Sequence, residues 1–320
     1  MLKLMEERKF PVAEVRPLAS ARSAGQAVQF AGDDVQVQEL TTGSFAGIDI
    51  ALFSAGAARS REFAPAAVEA GAVVIDNSSA FRMEPNVPLV VPEVNPEDIK
   101  WHEGIIANPN CSTIQMVVAL KPIYDAAGID RIIVTTFQSV SGTGKQAMEE
   151  LFSQSEAVLE SGEVRCNVYP YQIAFNILPH IERFHENGYT NEEVKMMAET
   201  RKIFSDPDLR VTATCARVPV FTGHSESVNV KTSRPVSVEE VRRLMLNTPG
   251  VAIVDDPVNL EYPMPVSAAG RDEVMVGRIR ADESEENSLN LWVVSDNLRK
   301  GAATNAVQIA ELLVTTGVLE

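Results

Sequence analysis

Three short apolar runs, Ile48–Phe53, Ala72–Ile75 and Gly104–Ala107, do most to limit what this chain can fold into. Each is too short for a buried helix. Each is followed by small or polar residues: Ser54-Ala-Gly56, Asp76-Asn-Ser-Ser79 and Asn108-Pro-Asn-Cys-Ser-Thr113. Between the first two runs, Arg61–Ala70 reads as a helix closed by Gly71. Strands without polar alternation are buried on both faces, and strands separated by helices form a mostly parallel, doubly wound sheet. Val12–Leu18 reads as a further strand of that kind. Ligands of such sheets lie beyond the carboxyl ends of the strands, so the polar segments are where chemistry is expected.

The remainder has a different texture. Helices are expected over Ser112–Ala127, Lys145–Glu160 and Asn191–Phe204, the second with Met148, Leu151, Phe152, Val158 and Leu159 on one face. Longer alternating strands are expected at Arg210–Arg217, Glu226–Thr232, Val274–Ala281 and Ser288–Ser295, with Asp282–Glu286 as a solvated hairpin turn. These make an α+β domain with an antiparallel or mixed sheet. The closing helix, Gly301–Thr316, is expected to return to the first domain.

A chain of 320 residues fits two domains at roughly 150 residues each. Apolar residues are 45% and charged residues 22%, a balance that excludes a mainly disordered chain. The charge, 28 − 44 = −16, argues against non-specific nucleic-acid binding and against an anionic membrane surface. The start lacks a secretory apolar region, and three widely spaced cysteines without CxxC fit a reducing compartment, so a cytoplasmic enzyme without a metal site is expected. A dinucleotide-binding domain ordinarily opens with a strand and a Gly-rich turn. Here no G-x-G-x-x-G occurs, and Met1–Phe10 reads as the tail of a helix stopped by Pro11, so the domain is expected to be N-terminally incomplete.

The sharpest chemical signal is Cys111, placed between an apolar run and a helix. A helix N-terminus favours a thiolate, which makes Cys111 a candidate nucleophile; the alternative is a small residue packed under a helix cap. Cys166 and Cys215 are read as structural. A cysteine nucleophile needs a proton-transfer partner, and the chain has four histidines. His102 and His185 lie in surface-like segments and His180 is ambiguous, whereas His224 follows Gly223 in a turn between two strands. It is either the base or a turn residue without a role. Arg82 and Arg217 could hold an anion by bidentate pairs or could be structural ion pairs. Ser141-Gly-Thr-Gly144 is a turn that would let backbone approach a flat ligand.

Taken together, these segments resemble aspartate-semialdehyde dehydrogenase, and most closely its bacterial members. The resemblance runs from Met1 to the C-terminal helix through Ser20–Gly25 (SARSAG), Ser54–Gly56, Asn77–Arg82 (NSSAFR), Val91–Asn95, Asn108–Thr113 (NPNCST), Gln138–Gly144 (QSVSGTG), Arg217–Ser227 (RVPV…GHSES) and Ser295–Glu311. It implies a Rossmann-like, doubly wound NADP-binding domain at 1–111 plus 298–320. It also implies an α+β catalytic and dimerisation domain at 112–297, in a homodimer. The implied reaction is the NADP-dependent reduction of L-aspartyl 4-phosphate to L-aspartate 4-semialdehyde, with release of inorganic phosphate, in the biosynthesis of lysine, threonine, methionine and diaminopimelate.

By the same resemblance, Cys111 attacks the acyl phosphate and forms a thioester, His224 is the acid/base and Gln138 orients the intermediate. Arg217 binds the substrate carboxylate, Glu192 and Lys195 contact substrate and phosphate, and Arg82 and Asn110 complete the phosphate site. The bland alternative for Glu192 and Lys195 is a solvated i,i+3 pair. Ser20, Arg22 and Ser23 suit a 2′-phosphate, with no acid nearby to prefer NAD. Ser54, Gly56, Gly142 and Gly144 are expected to line the cofactor. Asn297 is expected near the nicotinamide, or is a helix N-cap. Two other functions remain open: a reductase of an N-acetylated glutamyl phosphate, and a catalytically silent homologue acting as a partner in an oligomer.

Overall fold

The computed structural model describes residues 1–318, which form two compact units: 1–109 with 303–318, and 110–302. No described helix is long and apolar enough to cross a membrane.

The first unit is built on a parallel three-stranded sheet, β5 (Ile50–Phe53), β6 (Val73–Asp76) and β7 (Ile105–Ala107), in that order. Every residue of β6 is buried, as expected of a strand covered on both faces. One face packs α2 (Ala57–Glu69) through Phe63, Ala64 and Ala67. The other packs the C-terminal helix Thr304–Thr316 through Ala306, Ile309, Ala310 and Leu313, so the chain does return to this unit. The short helix α1 (Leu2–Glu7) buries Leu4 and Met5 against Val307, and Arg8 donates from Nε and Nη2, one edge of its guanidinium, to the two carboxylate oxygens of Glu311 at 2.8 and 2.6 Å.

The expected strand Val12–Leu18 is not formed. Only β1 (Leu18–Ala19) is extended, paired in parallel with β4 (Gln38–Glu39). Val12 and Val15 both turn toward Leu4 and Met5, a spacing of three that an alternating strand cannot give. Between β1 and β4 in sequence, β2 (Ala27–Phe30) and β3 (Asp33–Gln36) form a hairpin that was not expected from the sequence. Its turn residues, Ala31 and Gly32, both have positive φ, and alanine does not advertise that conformation.

The second unit centres on a mixed six-stranded sheet. Its strands are β8 (Ile129–Gln138), β9 (Arg210–Arg217), β10 (His224–Thr232), β11 (Val251–Ile253), β12 (Val274–Ala281) and β13 (Ser288–Ser295), in the order β11-β12-β13-β10-β8-β9. The helix α3 (Cys111–Ala127) lies on this sheet, buried at every position from Ser112 to Leu120. A helix apolar on all sides has to be an interior one. α5 (Asn191–Ile203) and α6 (Val238–Leu246) pack against it, and α4 (Lys145–Leu159) and α7 (Pro265–Ala268) are further helices of this unit. α5 is started by a capping box, in which Thr190 accepts from the Glu193 N–H and Glu193 accepts from the Thr190 N–H.

Candidate active site

Cys111 is the first helical residue of α3, so its thiol stands among the unpaired N–H groups of the first turn. Its sulfur lies 3.7 Å from Asn110 Oδ1. The Cα of Gly301 comes so close that a Cβ added there would sit 2.8 Å from the Cys111 Cβ. Only glycine leaves room here for the Cys111 side chain.

Asn110 is held from α5. Its backbone N–H donates to Glu199 Oε2 at 2.6 Å and its side-chain amide to Glu192 Oε1 at 2.8 Å. Residues seven apart share a helix face, so one face of α5 fixes the residue before the cysteine. Glu192 Oε1 also accepts from Gln138 Nε2 at 2.9 Å, and Lys195 lies 3.5 Å from Oε2. Glu192 is buried, not part of a solvated pair. Burial alone would raise its pKa, but Lys195, the Asn110 and Gln138 amides and Arg217 outweigh it and hold the carboxyl below the ordinary range.

His224 is the first residue of β10 and not a turn residue, because it pairs with Ser295 of β13. It is fully buried. The Ser139 backbone N–H points at Nδ1 from 3.1 Å, with the Ser139 hydroxyl at 3.0 Å. An N–H can only donate, so Nδ1 accepts and the neutral ring carries its proton on Nε2. Nε2 has no hydrogen-bond partner among the described residues. Burial and the nearby Arg217 charge push the pKa of His224 well below its ordinary value.

Arg217 donates through Nη1 to the Ser139 carbonyl at 2.8 Å. Asn297 Oδ1 accepts from the Ser139 and Ser141 hydroxyls and from the Gly223 N–H, at 3.0, 3.1 and 2.9 Å. It is therefore a hub for the 139–141 turn. The N-cap role goes instead to Asp296, whose Oδ1 accepts from the N–H groups of Leu298 and Arg299. Gly142 presents bare backbone here: a Cβ on it would lie 3.0 Å from Arg217 Nη1 and 3.3 Å from His224 Nε2.

One corner of the second unit thus gathers Asn110, Cys111, Gln138, Gly142, Glu192, Lys195, Arg217, His224 and Asn297. Gly144 lies just beyond, as the N-cap of α4. The remaining candidates belong to the first unit. Ser20, Arg22 and Ser23 occupy the turn after β1, and Ser54 and Gly56 follow β5, with Gly56 at the N-terminus of α2 at φ 87°. Arg82 is buried and donates from Nε to the Asn108 carbonyl at 2.9 Å. The other two cysteines lie elsewhere. Cys215 is buried in β9, where burial and nearby carboxylates push its thiol up, and Cys166 is exposed.

Comparison with known proteins bears on this arrangement. Residues 1–102 match the semialdehyde dehydrogenase NAD-binding domain, and residues 120–300 match the semialdehyde dehydrogenase dimerisation domain. Aspartate-semialdehyde dehydrogenase of Aquifex aeolicus is 59% identical over 99% of this chain and 95% of its own length. This chain belongs to the aspartate-semialdehyde dehydrogenase family. The crystal structure of aspartate semialdehyde dehydrogenase II from Vibrio cholerae, complexed with ASA, superposes with a TM-score of 0.94 at 52% identity, over 98% of this chain and 94% of that one. The Candida albicans enzyme with NADP superposes with a TM-score of 0.77 at 28% identity, over 98% and 95%. Members of this family carry out aldehyde and acyl-phosphate chemistry with a nicotinamide dinucleotide, and the first unit is the family's NAD-binding domain.

Four residues of this corner were not singled out from the sequence: Gln115, Ser139, Glu199 and Gly301. The i,i+7 acid on α5 was the available signal for Glu199. Ser139 lies inside a recognised motif. Gly301 likewise lies inside the recognised Ser295–Glu311 segment, whereas Gln115 gave no local signal, because its partner is far away in the chain.

Proposed function

We propose that this chain interconverts L-aspartyl 4-phosphate and L-aspartate 4-semialdehyde with NADP and inorganic phosphate, through a thioester on Cys111. The observation that carries the reading is the corner just described: a helix-terminal cysteine, a buried histidine and a buried arginine on one scaffold, in a chain of this family. Cys111 attacks the acyl carbon and expels phosphate, leaving a thioester on its sulfur; a bound nicotinamide would supply the hydride that reduces it. His224, neutral with its proton on Nε2, donates it to the oxygen of the tetrahedral intermediate, takes it back as that oxygen becomes the aldehyde carbonyl, and passes it to the departing sulfur. Gln138 and Asn110, both fixed by Glu192, aim their amides at substrate.

Arg217 binds the substrate carboxylate, Glu192 and Lys195 complete the amino-acid and anion contacts, and Arg82 is assigned to phosphate. Two segments, one in each unit, suit parts of the cofactor. The bare backbone of Gly142 and Gly144 beside the Asn297 hub suits a flat ring. The exposed turn with Ser20, Arg22 and Ser23 carries no acid and suits a 2′-phosphate, so NADP is preferred over NAD. Ser54 and Gly56 offer the N–H groups at the start of α2. A homodimer built on the dimerisation domain is part of this reading. So is work in the reducing cytoplasm, for which cysteines not joined in disulfides are suited. The N-acetylglutamyl alternative is not favoured by relatives that are named for aspartate semialdehyde.

A phosphate-dependent oxidation assay with aspartate semialdehyde and N-acetylglutamate semialdehyde tests the substrate. Turnover of the first is expected, and preference for the second would overturn the reading. Arg217→Lys replaces a planar fork by a point charge. It is expected to raise KM for the amino-acid substrate about tenfold, the loss of roughly 1.4 kcal/mol of binding, with a smaller fall in kcat. An unchanged KM would remove Arg217 from the carboxylate site.

A further inference from the structure

Glu226 is a buried carboxyl that the chemistry above does not use. It lies two residues beyond His224 on the same face of β10, with no exposure to solvent. It faces Thr136 across β8 and Val293 across β13. The groups that bear on it are Gln115 from α3, Glu192 from α5 and Cys215 from β9. The charge that weighs on it is that of Glu192, which has the same sign. Burial holds the pKa of this carboxyl well above the ordinary range; the neighbouring Gln115 amide works against it, and the Glu192 charge adds to it.

Hydrogen-bond bookkeeping leads to the same state. Neither carboxyl oxygen has a partner among the described residues, and Oε1 of Gln115 has none either. An ionised carboxylate and an amide oxygen are both acceptors and cannot satisfy one another. A single proton on Glu226 resolves both, because its O–H then donates to Gln115 Oε1. The other end of that amide is in use, since Gln115 Nε2 donates to the His224 carbonyl at 3.4 Å. Gln115 is one helical turn beyond Cys111 on α3, so the two share a face.

We propose that Glu226 is a positioning residue, held as a neutral acid, whose O–H orients the Gln115 amide so that it ties the helix starting at Cys111 to the strand starting at His224. An ionised Glu226 would instead draw Nε2 to itself, turn the amide over and release the His224 carbonyl. The inference rests on the assignment of Cys111 and His224 above.

Two variants and one spectrum test it. Glu226→Gln keeps length, neutrality and a donor, and is expected to hold kcat within about threefold. Glu226→Leu cuts the tie and is expected to lower kcat about tenfold, the worth of one hydrogen bond, with KM nearly unchanged. If Glu226→Leu does not fold, Gln115→Leu cuts the same tie from the other end and should show the same split. Equal losses in Glu226→Gln and Glu226→Leu, or full kcat in the leucine variants, would overturn the positioning role. The protonation state is read without activity. The wild-type infrared spectrum at neutral pH should contain a carboxylic-acid C=O band that is missing from Glu226→Gln. The Tm advantage of Glu226→Gln should grow as pH rises above about 4.3, where the unfolded wild-type carboxyl ionises and the folded one does not. A missing band together with a pH-independent Tm difference would overturn the neutral acid, whatever becomes of the dehydrogenase assignment.

Discussion

Cys111→Ala is expected to lower phosphate-dependent turnover by about 10,000-fold or more, because covalent catalysis has no substitute nucleophile in this corner. The other two cysteines cannot take over: Cys215 is buried inside β9 with its thiol pushed up, and Cys166 is exposed, near Gln154. The fold should survive. Alanine keeps the Cβ that packs over Gly301, is a good helix former and leaves Asn110 tied to Glu192 and Glu199. Circular dichroism and Tm close to wild type, with turnover gone, is the predicted pair. Residual turnover above a hundredth of wild type would remove Cys111 as nucleophile.

His224→Asn is expected to lower kcat by about 100- to 1,000-fold, the range for a positioned proton donor. The substitution is chosen for what it keeps. Asparagine Oδ1 can still accept from the Ser139 N–H, so the 139–141 turn and its Asn297 hub should hold, while the Nε2–H is lost. A modest change in KM with a large fall in kcat is the expected split, measured by steady-state kinetics. The same residue has a signature in stability. Burial and Arg217 depress the folded pKa of His224, whereas the unfolded ring takes up a proton near pH 6.5. The unfolded state therefore binds more protons as pH falls below that value, and the wild type loses stability there. Thermal melts between pH 7 and pH 5 should show a steeper decline for wild type than for His224→Asn. Parallel declines would place an ionised imidazole in the folded state.

The fold was readable where one physical signal dominated. β9, β12 and β13 have the bounds expected from strict alternation, and the run leading into β6 announced a strand buried on both faces. Signals failed where two demands competed. Val12–Leu18 has the composition of a strand, but its valines are spaced three apart to cover α1. His224 looked like a turn residue because of Gly223, yet the strand already begins there. The functional corner was readable as residue names and not as partnerships. Gln138, Glu192 and Arg217 sit in recognisable motifs, whereas the Asn110–Glu199, Gln115–His224 and Ser139–Asn297 hydrogen bonds join residues 89, 109 and 158 positions apart. Nothing local in a sequence encodes such pairs, and they decide which way each side chain points.

The central claim is that acyl transfer to Cys111 precedes and is separate from cleavage by phosphate. Rapid mixing of the chain with aspartate semialdehyde and NADP, without phosphate, tests it directly. The account predicts a burst approaching one NADPH per active site, an aspartyl thioester on Cys111 seen by mass spectrometry after acid quench, and steady turnover only once phosphate is added. No burst and no acylated Cys111, with NADPH forming only when phosphate is present from the start, would contradict it.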